Sequence, residues 1–396
     1  MNKKIMQLTE RHVAATYSRY PIALIKGKGM HVWDAAGSRY LDFVAGVAVD
    51  SLGHCHPKIV QAIRKQAGQL IHVSNWFHIE PQSRLAEKIT RLSFGNKVFF
   101  CNSGTEANEG AIKLARRFFV DRGQKSKIEI ITTYKAFHGR TLGAMSATPQ
   151  EKIQKGFGPL VPGFKYVPFD DIAAMKKAMT SKTCAVMVEP IQGESGVIIP
   201  GKTYLKELRK LCTQRNVLLI LDEVQTGCGR TGHLFAYQAF GAKPDIMTLA
   251  KGLGAGVPIG ALVMTDQVAK SLGPGTHGST FGGNPLVCAA ALASVDIVSD
   301  KTFLKNVREM GKYFLSRLKE LSRKFPVITN VRGMGLILAI DIDASPAEVA
   351  KDCMAQGILI NSIPPGTLRF IPPLIVSQKN IDTLIRVLAK SLARLN

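Results

Sequence analysis

Several short segments of this chain carry polar residues where burial makes them costly. Lys251 closes the apolar run Ile246–Ala250 and is followed by Gly252, Gly254 and Gly256. A lysine stripped of part of its water has a lowered pKa and attacks a carbonyl as the free amine. The glycines let backbone approach a bulky group. Asp222 ends another apolar run, Val217–Leu221. A carboxylate there is expensive to ionise unless it meets a cation, either a protonated ring nitrogen or a metal. The small residues Ser103, Gly104 and Thr105 follow Val98–Phe100 and open a helical pattern. Free N–H groups and the helix dipole make such a turn a seat for an anion, and the two hydroxyls add donors. Phe137 and Arg140 follow Ile128–Thr132 and suit ring stacking and two-toothed binding of a carboxylate.

Each segment has an ordinary alternative. Ser103 caps a helix, Asp222 caps a turn, and Lys251 is a surface lysine beside a flexible loop. His138 reads as a structural, hydrogen-bonded histidine as readily as a functional one. Together, however, an anion seat, an aspartate for a ring nitrogen and a carbonyl-seeking lysine are the requirements for binding pyridoxal 5′-phosphate. Glu189 and Glu194 follow the run Ala185–Val188, and Arg369 is isolated in an apolar stretch beside Pro372 and Pro373. An unpaired buried charge is expensive, so Arg369 requires a partner.

The elements around these residues follow from periodicity. From about residue 57, short apolar runs alternate with helical stretches such as 204–212, whose apolar positions recur at helical spacing opposite Lys and Arg. Runs so short and apolar are strands buried on both faces. The alternation predicts an α/β fold with a large, mainly parallel-sheet domain over 57–295. In such a sheet ligands bind outside the carboxyl ends of the strands, where the residues above stand. Residues 1–56 read as a hairpin-bearing segment that contributes to a smaller α+β domain. Residues 296–396 supply the rest of it, with helices near 303–324, 346–355 and 378–394.

Composition narrows the classes. The chain has 396 residues, 46 % of them apolar, which excludes a disordered chain. Fifty-two Lys and Arg against 29 Asp and Glu give a formal charge of +23, the one feature favouring a polyanion binder. The surplus is dispersed, with no basic arm, zinc-finger spacing or aromatic RNA-binding signature, so no nucleic-acid partner is expected. Seven cysteines without a CxxC pair argue against a disulfide framework or a structural zinc site, and no metal is expected. No segment reads as a signal peptide or membrane span, and the expectation is a cytoplasmic protein.

The blocks Asp222–Gly227, Lys251–Gly254 and Gly283-Asn284-Pro285 resemble the class III, ω-amino-acid type of pyridoxal-phosphate-dependent aminotransferases. The match extends from Gly53–Pro57 to Arg369–Leu374. The resemblance implies a type I transferase fold working as a homodimer with shared active sites. Lys251 resembles the lysine that joins the cofactor aldehyde, and Asp222 the partner of its ring nitrogen. Gln225 matches the residue near the phenolic oxygen, and Val224 the one packing on the ring face opposite Phe137. Ser103, Gly104 and Thr105 match the phosphate loop, and Thr280 a phosphate ligand supplied by the neighbouring subunit. Arg140 resembles the arginine for the substrate carboxylate, and Ser279 falls with the substrate residues. Glu194 and Arg369 resemble a gating pair in which the glutamate covers the arginine for the amino donor and frees it for 2-oxoglutarate.

Members that handle free ornithine carry a tyrosine where Val47 stands. The resemblance therefore implies transfer of the δ-amino group of N2-acetylornithine to 2-oxoglutarate, giving N-acetylglutamate 5-semialdehyde and glutamate, a step of arginine biosynthesis. His78, where relatives show tyrosine, leaves the acyl group open, with succinylornithine and succinyl-diaminopimelate as alternatives; ornithine and 4-aminobutyrate are the other donors the family resemblance admits. Aminomutase or decarboxylase chemistry on the same fold is the second reading.

Overall fold

The computed structural model describes residues 1–395. Its centre is a seven-stranded sheet built from β1 (Lys97–Cys101), β2 (Glu129–Thr133), β3 (Phe164–Val167), β4 (Thr183–Val188), β5 (Leu218–Asp222), β6 (Ile246–Leu249) and β7 (Gly260–Met264). The strand order is β1-β7-β6-β5-β4-β2-β3. All neighbours from β6 to β3 pair in parallel, while β7 runs antiparallel to both β6 and β1.

Strands β4, β5 and β6 are buried on both faces as expected, whereas Val98 and Phe99 of β1 are half-buried and Ile128, expected to open β2, is exposed ahead of it; alternation sorts the buried side chains into two cores. Val186, Val188, Leu219, Leu221, Met247 and Leu249 join one cluster, with the helices Glu80–Leu92 and Pro285–Val298 contributing Leu85, Ile89 and Val295. Ala185, Met187, Leu218, Ile220 and Ile246 point the other way, onto Ala111, Leu114, Ala115 and Phe118 of the helix Gly104–Val120. That alternation is why uninterrupted apolar runs are needed in β4–β6.

The remainder of the chain builds two further sheets. Leu24–Lys28, His31–Asp34 and Arg39–Asp42 form an antiparallel meander, and the C-terminal Ile358–Leu359 joins its edge in parallel with Leu41 and Asp42. The strands Ile328–Met334, Ile337–Ile342, Thr367–Phe370 and Asn361–Ile363 form the other sheet. A separate core unites the two ends of the chain, with Leu41 and Phe43 against Phe314, Leu338, Phe370, Leu384 and Leu388. Arg230, 1 % exposed, stitches the regions together by donating to the carbonyls of Leu336 and Pro372. The seven cysteines are free thiols, and no helix among the described residues is long and apolar enough to cross a membrane.

Candidate active site

The carboxyl ends of β1, β2, β4, β5 and β6 open onto one cleft of about 460 Å³. Ser103, Gly104, Thr105, Phe137, Arg140, Glu194, Asp222, Val224, Gln225 and Lys251 all line it. The structure therefore brings together nearly every residue singled out from the sequence. Arg369 reaches it through Glu194 and Gln225, each 3.4 Å from Nη1. Ser279 and Thr280 lie elsewhere, lining a second hollow with Asn75, Trp76, Phe100 and His277.

Asp222 sits at the end of β5 and is 3 % exposed. Its Oδ2 accepts from Asn108 Nδ2 at 2.7 Å and lies 2.8 Å from His138 Nδ1, while Oδ1 accepts the Val224 N–H at 3.0 Å. A carboxylate offers only acceptors, so His138 donates from Nδ1. Its Nε2 is buried without a partner. Asn108 is fixed in turn: Nδ2 also donates to the His138 carbonyl at 2.6 Å, and Oδ1 accepts Thr248 Oγ1 at 2.7 Å. Three donors hold Asp222 in one orientation, and the open side faces the cleft.

Lys251 follows β6 with φ of 43°, a left-handed conformation that a lysine adopts only under constraint. Burial lowers its pKa, with Asp222 and Glu194 opposing the shift. Its ammonium makes no ion pair among the described residues, so the site holds a lysine predisposed to the free amine. Glu189, at the end of β4, accepts the N–H groups of Phe137 at 3.0 Å and Gly193 at 3.2 Å. Burial, reinforced by Asp222, raises its pKa to about 7.

The turn after β1 is built for close approach. Ser103 Oγ accepts from the Glu106 N–H at 3.3 Å, and the Glu106 carboxylate returns to the Asn102 N–H at 2.7 Å. This reciprocal cap satisfies part of the helix start and leaves the turn facing the cleft. A side chain on Gly104 would stand 2.7 Å from Val224 Cγ1, and one on Gly139 would stand 2.1 Å from Thr105 Oγ1. Phe137 walls the cleft with the exposed Arg140 guanidinium 5.9 Å from its ring centre. Arg369, 2 % exposed, donates to Asn361 Oδ1 at 2.9 Å and the Gly193 carbonyl at 2.7 Å, and burial lowers its pKa against the pull of Glu194.

Glu189 stands at its strand end as expected, whereas Asn108 and Thr248 join the site without having been singled out in the sequence. An amide on the core-facing side of an apolar helix and a threonine inside an apolar strand were the available signals, because buried polar groups need partners. Val47 is one-third exposed and does not line the cleft, whereas Val49 does.

A fold of this topology with a lysine, an aspartate and an anion seat at the strand ends defines a recognisable class. The family model "Aminotransferase class-III" matches residues 12–392. The chain therefore belongs to the class-III aminotransferase family. It is 51 % identical over 383 residues to the acetylornithine aminotransferase of Methanocaldococcus jannaschii, covering 97 % of this chain and 96 % of that one. It is 52 % identical over 380 residues to the acetylornithine aminotransferase of Caldanaerobacter subterraneus subsp. tengcongensis, covering 96 % of each. Among solved structures, the ornithine aminotransferase of Toxoplasma gondii superposes with a TM-score of 0.96 at 35 % identity, covering 100 % of this chain and 95 % of that one. Its active site holds pyridoxal 5′-phosphate at partial occupancy.

Proposed function

We propose that the protein is a pyridoxal-5′-phosphate-dependent transaminase that moves the δ-amino group of N2-acetylornithine to 2-oxoglutarate, as a biosynthetic enzyme of the cytoplasm. The observation that carries this reading is the pairing, across one cleft, of a lysine without an ion-pair partner and a triply hydrogen-bonded aspartate. The names of the curated relatives support the donor.

The cleft suits the cofactor. Asp222 presents a carboxyl group held in one orientation for a ring nitrogen, and only a glycine at 104 lets the turn pack this close to Val224, since a side chain there would stand 2.7 Å from Cγ1. In this reading Ser103, Gly104 and Thr105 hold the phosphate, Phe137 and Val224 flank the ring, and Gln225 lies by its phenolic oxygen. When bound, the cofactor supplies an aldehyde for the donor amine and an electron sink for the carbon that loses a proton. Lys251 takes the proton from the δ-carbon of the donor as the free amine. In the return half-reaction Lys251 delivers a proton to C2 of the nascent glutamate. Arg140 binds the α-carboxylate. Glu194 neutralises Arg369 while the donor reacts and withdraws when a dicarboxylate arrives.

The same reading makes the enzyme a homodimer. Asn75 donates to the carbonyls of Ser279 and Gly282, tying the loop with Trp76 (91 % exposed) and Phe77 (63 %) to the one with Phe281 (61 %). So much exposed aromatic surface suits a partner, and a second copy would bring its Thr280 to this chain's phosphate turn. Residues 57–295 form the cofactor domain, and 1–56 with 296–396 form the smaller domain.

The test is isotopic. With N2-acetylornithine labelled with ¹⁵N at the δ position, the label should appear in glutamate together with N-acetylglutamate 5-semialdehyde. Loss of CO₂, or turnover without a keto acid, would instead point to decarboxylase or mutase chemistry.

A further inference from the structure

A second cleft of about 760 Å³ adjoins the first, and Glu194 lines both. Its other charged lining residues are Lys135, Lys152, Arg332 and Asp341. Arg332 and Asp341 satisfy each other, with the guanidinium 2.5 and 2.8 Å from the two carboxylate oxygens and Nε donating to the Gly196 carbonyl at 2.8 Å. Lys135 and Lys152 make no ion pair among the described residues. The cleft therefore holds two unpaired ammonium groups, and Glu194 is the one lining carboxylate not already engaged by an arginine at close range.

Glu194 is also loosely held. Its side chain is 42 % exposed, and its contact with Arg369 is 3.4 Å long. Arg369 keeps Asn361 Oδ1 and the Gly193 carbonyl as acceptors when that contact breaks. Departure thus strands neither partner: the guanidinium stays fixed with one edge freed, and the carboxylate stands in a cleft that the two lysines also line. The backbone of Lys135 is tied to the Glu194 turn. It adopts a left-handed φ of 66°, and its carbonyl accepts Ser195 Oγ at 2.5 Å, pinning its backbone to the residue after Glu194.

We propose that Lys135 and Lys152 form the seat that receives the Glu194 carboxylate when it leaves Arg369, so that this lysine pair sets how readily the enzyme accepts a dicarboxylic keto acid. This rests on the reading of Glu194 and Arg369 as a gate. It makes Lys135 and Lys152 positioning residues that act through Glu194. An ion pair at a half-exposed site is worth roughly two- to five-fold in an equilibrium.

The test is a set of single-turnover half-reactions with Lys135→Ala, Lys152→Ala and the double variant, each in wild-type and Glu194→Gln backgrounds. The ratio of the 2-oxoglutarate rate to the N2-acetylornithine rate should fall roughly two- to five-fold per lysine in the wild-type background. It should not fall further once Glu194 is neutral. Glutarate binding to the amine-loaded enzyme, measured by calorimetry, should weaken by the same factor and show the same dependence on Glu194. Lysine variants with an unchanged ratio would overturn the proposal. So would an equal loss in both backgrounds, since the lysines would then act on the keto acid directly. Glu194→Gln alone tests the gate itself: an unchanged ratio there removes the reading on which the proposal rests.

Discussion

Asp222 accepts three hydrogen bonds inside the protein before any ligand arrives, and the one from Asn108 depends on Thr248 for its direction. Only one orientation of the Asn108 amide satisfies Asp222, the His138 carbonyl and the Thr248 hydroxyl together. Asn108→Ala would leave a buried carboxylate oxygen and a buried hydroxyl short of partners. The expected cost is about 1–3 kcal/mol of folding stability, readable as a shifted urea midpoint of the cofactor-free protein, with weaker cofactor retention in the same variant. An unshifted midpoint with normal retention would show that Asp222 is held by His138 and Val224 alone. Lys251, Asp222 and the Ser103–Thr105 turn were legible in the sequence because each interrupts an apolar run at a strand end. Asn108 was legible only as an amide on the core-facing side of its helix: its periodicity marks it as buried in need of a partner, but the partner, Asp222, lies 114 residues away and no local pattern names it.

The elements show the same division. Strands β4, β5 and β6 announce themselves as apolar runs because both of their faces are covered, and β1 and β2 do so through the buried ends that face the cleft. Strand β3, Phe-Lys-Tyr-Val, is half-buried at the sheet edge and carries a lysine, so it lacks that mark. Strand β7 hides in a long uncharged, glycine-rich stretch whose antiparallel insertion between β1 and β6 no periodicity could announce. The N-terminal hairpin was legible, but its pairing with Ile358 and Leu359 was not, because the partners lie more than three hundred residues apart.

The segment after that hairpin is strained, with Ala45, Val47 and Ala48 at φ of 51°, 62° and 65°. It is braced by His54, whose Nε2 lies 2.7 Å from Asp42 Oδ2 and whose Nδ1 lies 3.9 Å from Asp50 Oδ2. The bond to Asp42 raises the His54 pKa, with burial opposing and Asp50 assisting. A raised histidine stabilises the fold fully below its unfolded value of about 6.5 and loses that contribution as pH rises through the folded value. The stability difference between wild type and His54→Asn should therefore be largest in mild acid and shrink as pH rises above about 6.5. A difference that grows with pH would mean that the neutral ring carries the brace.

At the scale of the whole molecule, the reading requires two copies for each pair of sites. Co-expressed chains carrying Lys251→Ala and Thr280→Ala make that testable. A hybrid dimer would contain one site with both residues intact and one lacking both, so it should recover activity that neither variant has alone. Failure to complement, with hybrid dimers verified by mass, would place Thr280 outside its neighbour's site. The formal charge of +23 takes on a narrower meaning too. In the proposed reading Lys251, Arg140 and Arg369 belong to one anion-binding site, and the rest of the surplus is dispersed over the sequence rather than gathered in a basic arm.

The identity of the amino donor decides what this cleft does, and single-turnover conversion reads it out. The cofactor-loaded enzyme is mixed separately with N2-acetylornithine, succinylornithine, succinyl-diaminopimelate, ornithine and 4-aminobutyrate, and the loss of the visible absorbance of the bound cofactor is followed in a single turnover. The account predicts the highest second-order rate for N2-acetylornithine, with absorbance restored by 2-oxoglutarate. A faster conversion with free ornithine, 4-aminobutyrate or a succinylated donor would contradict it.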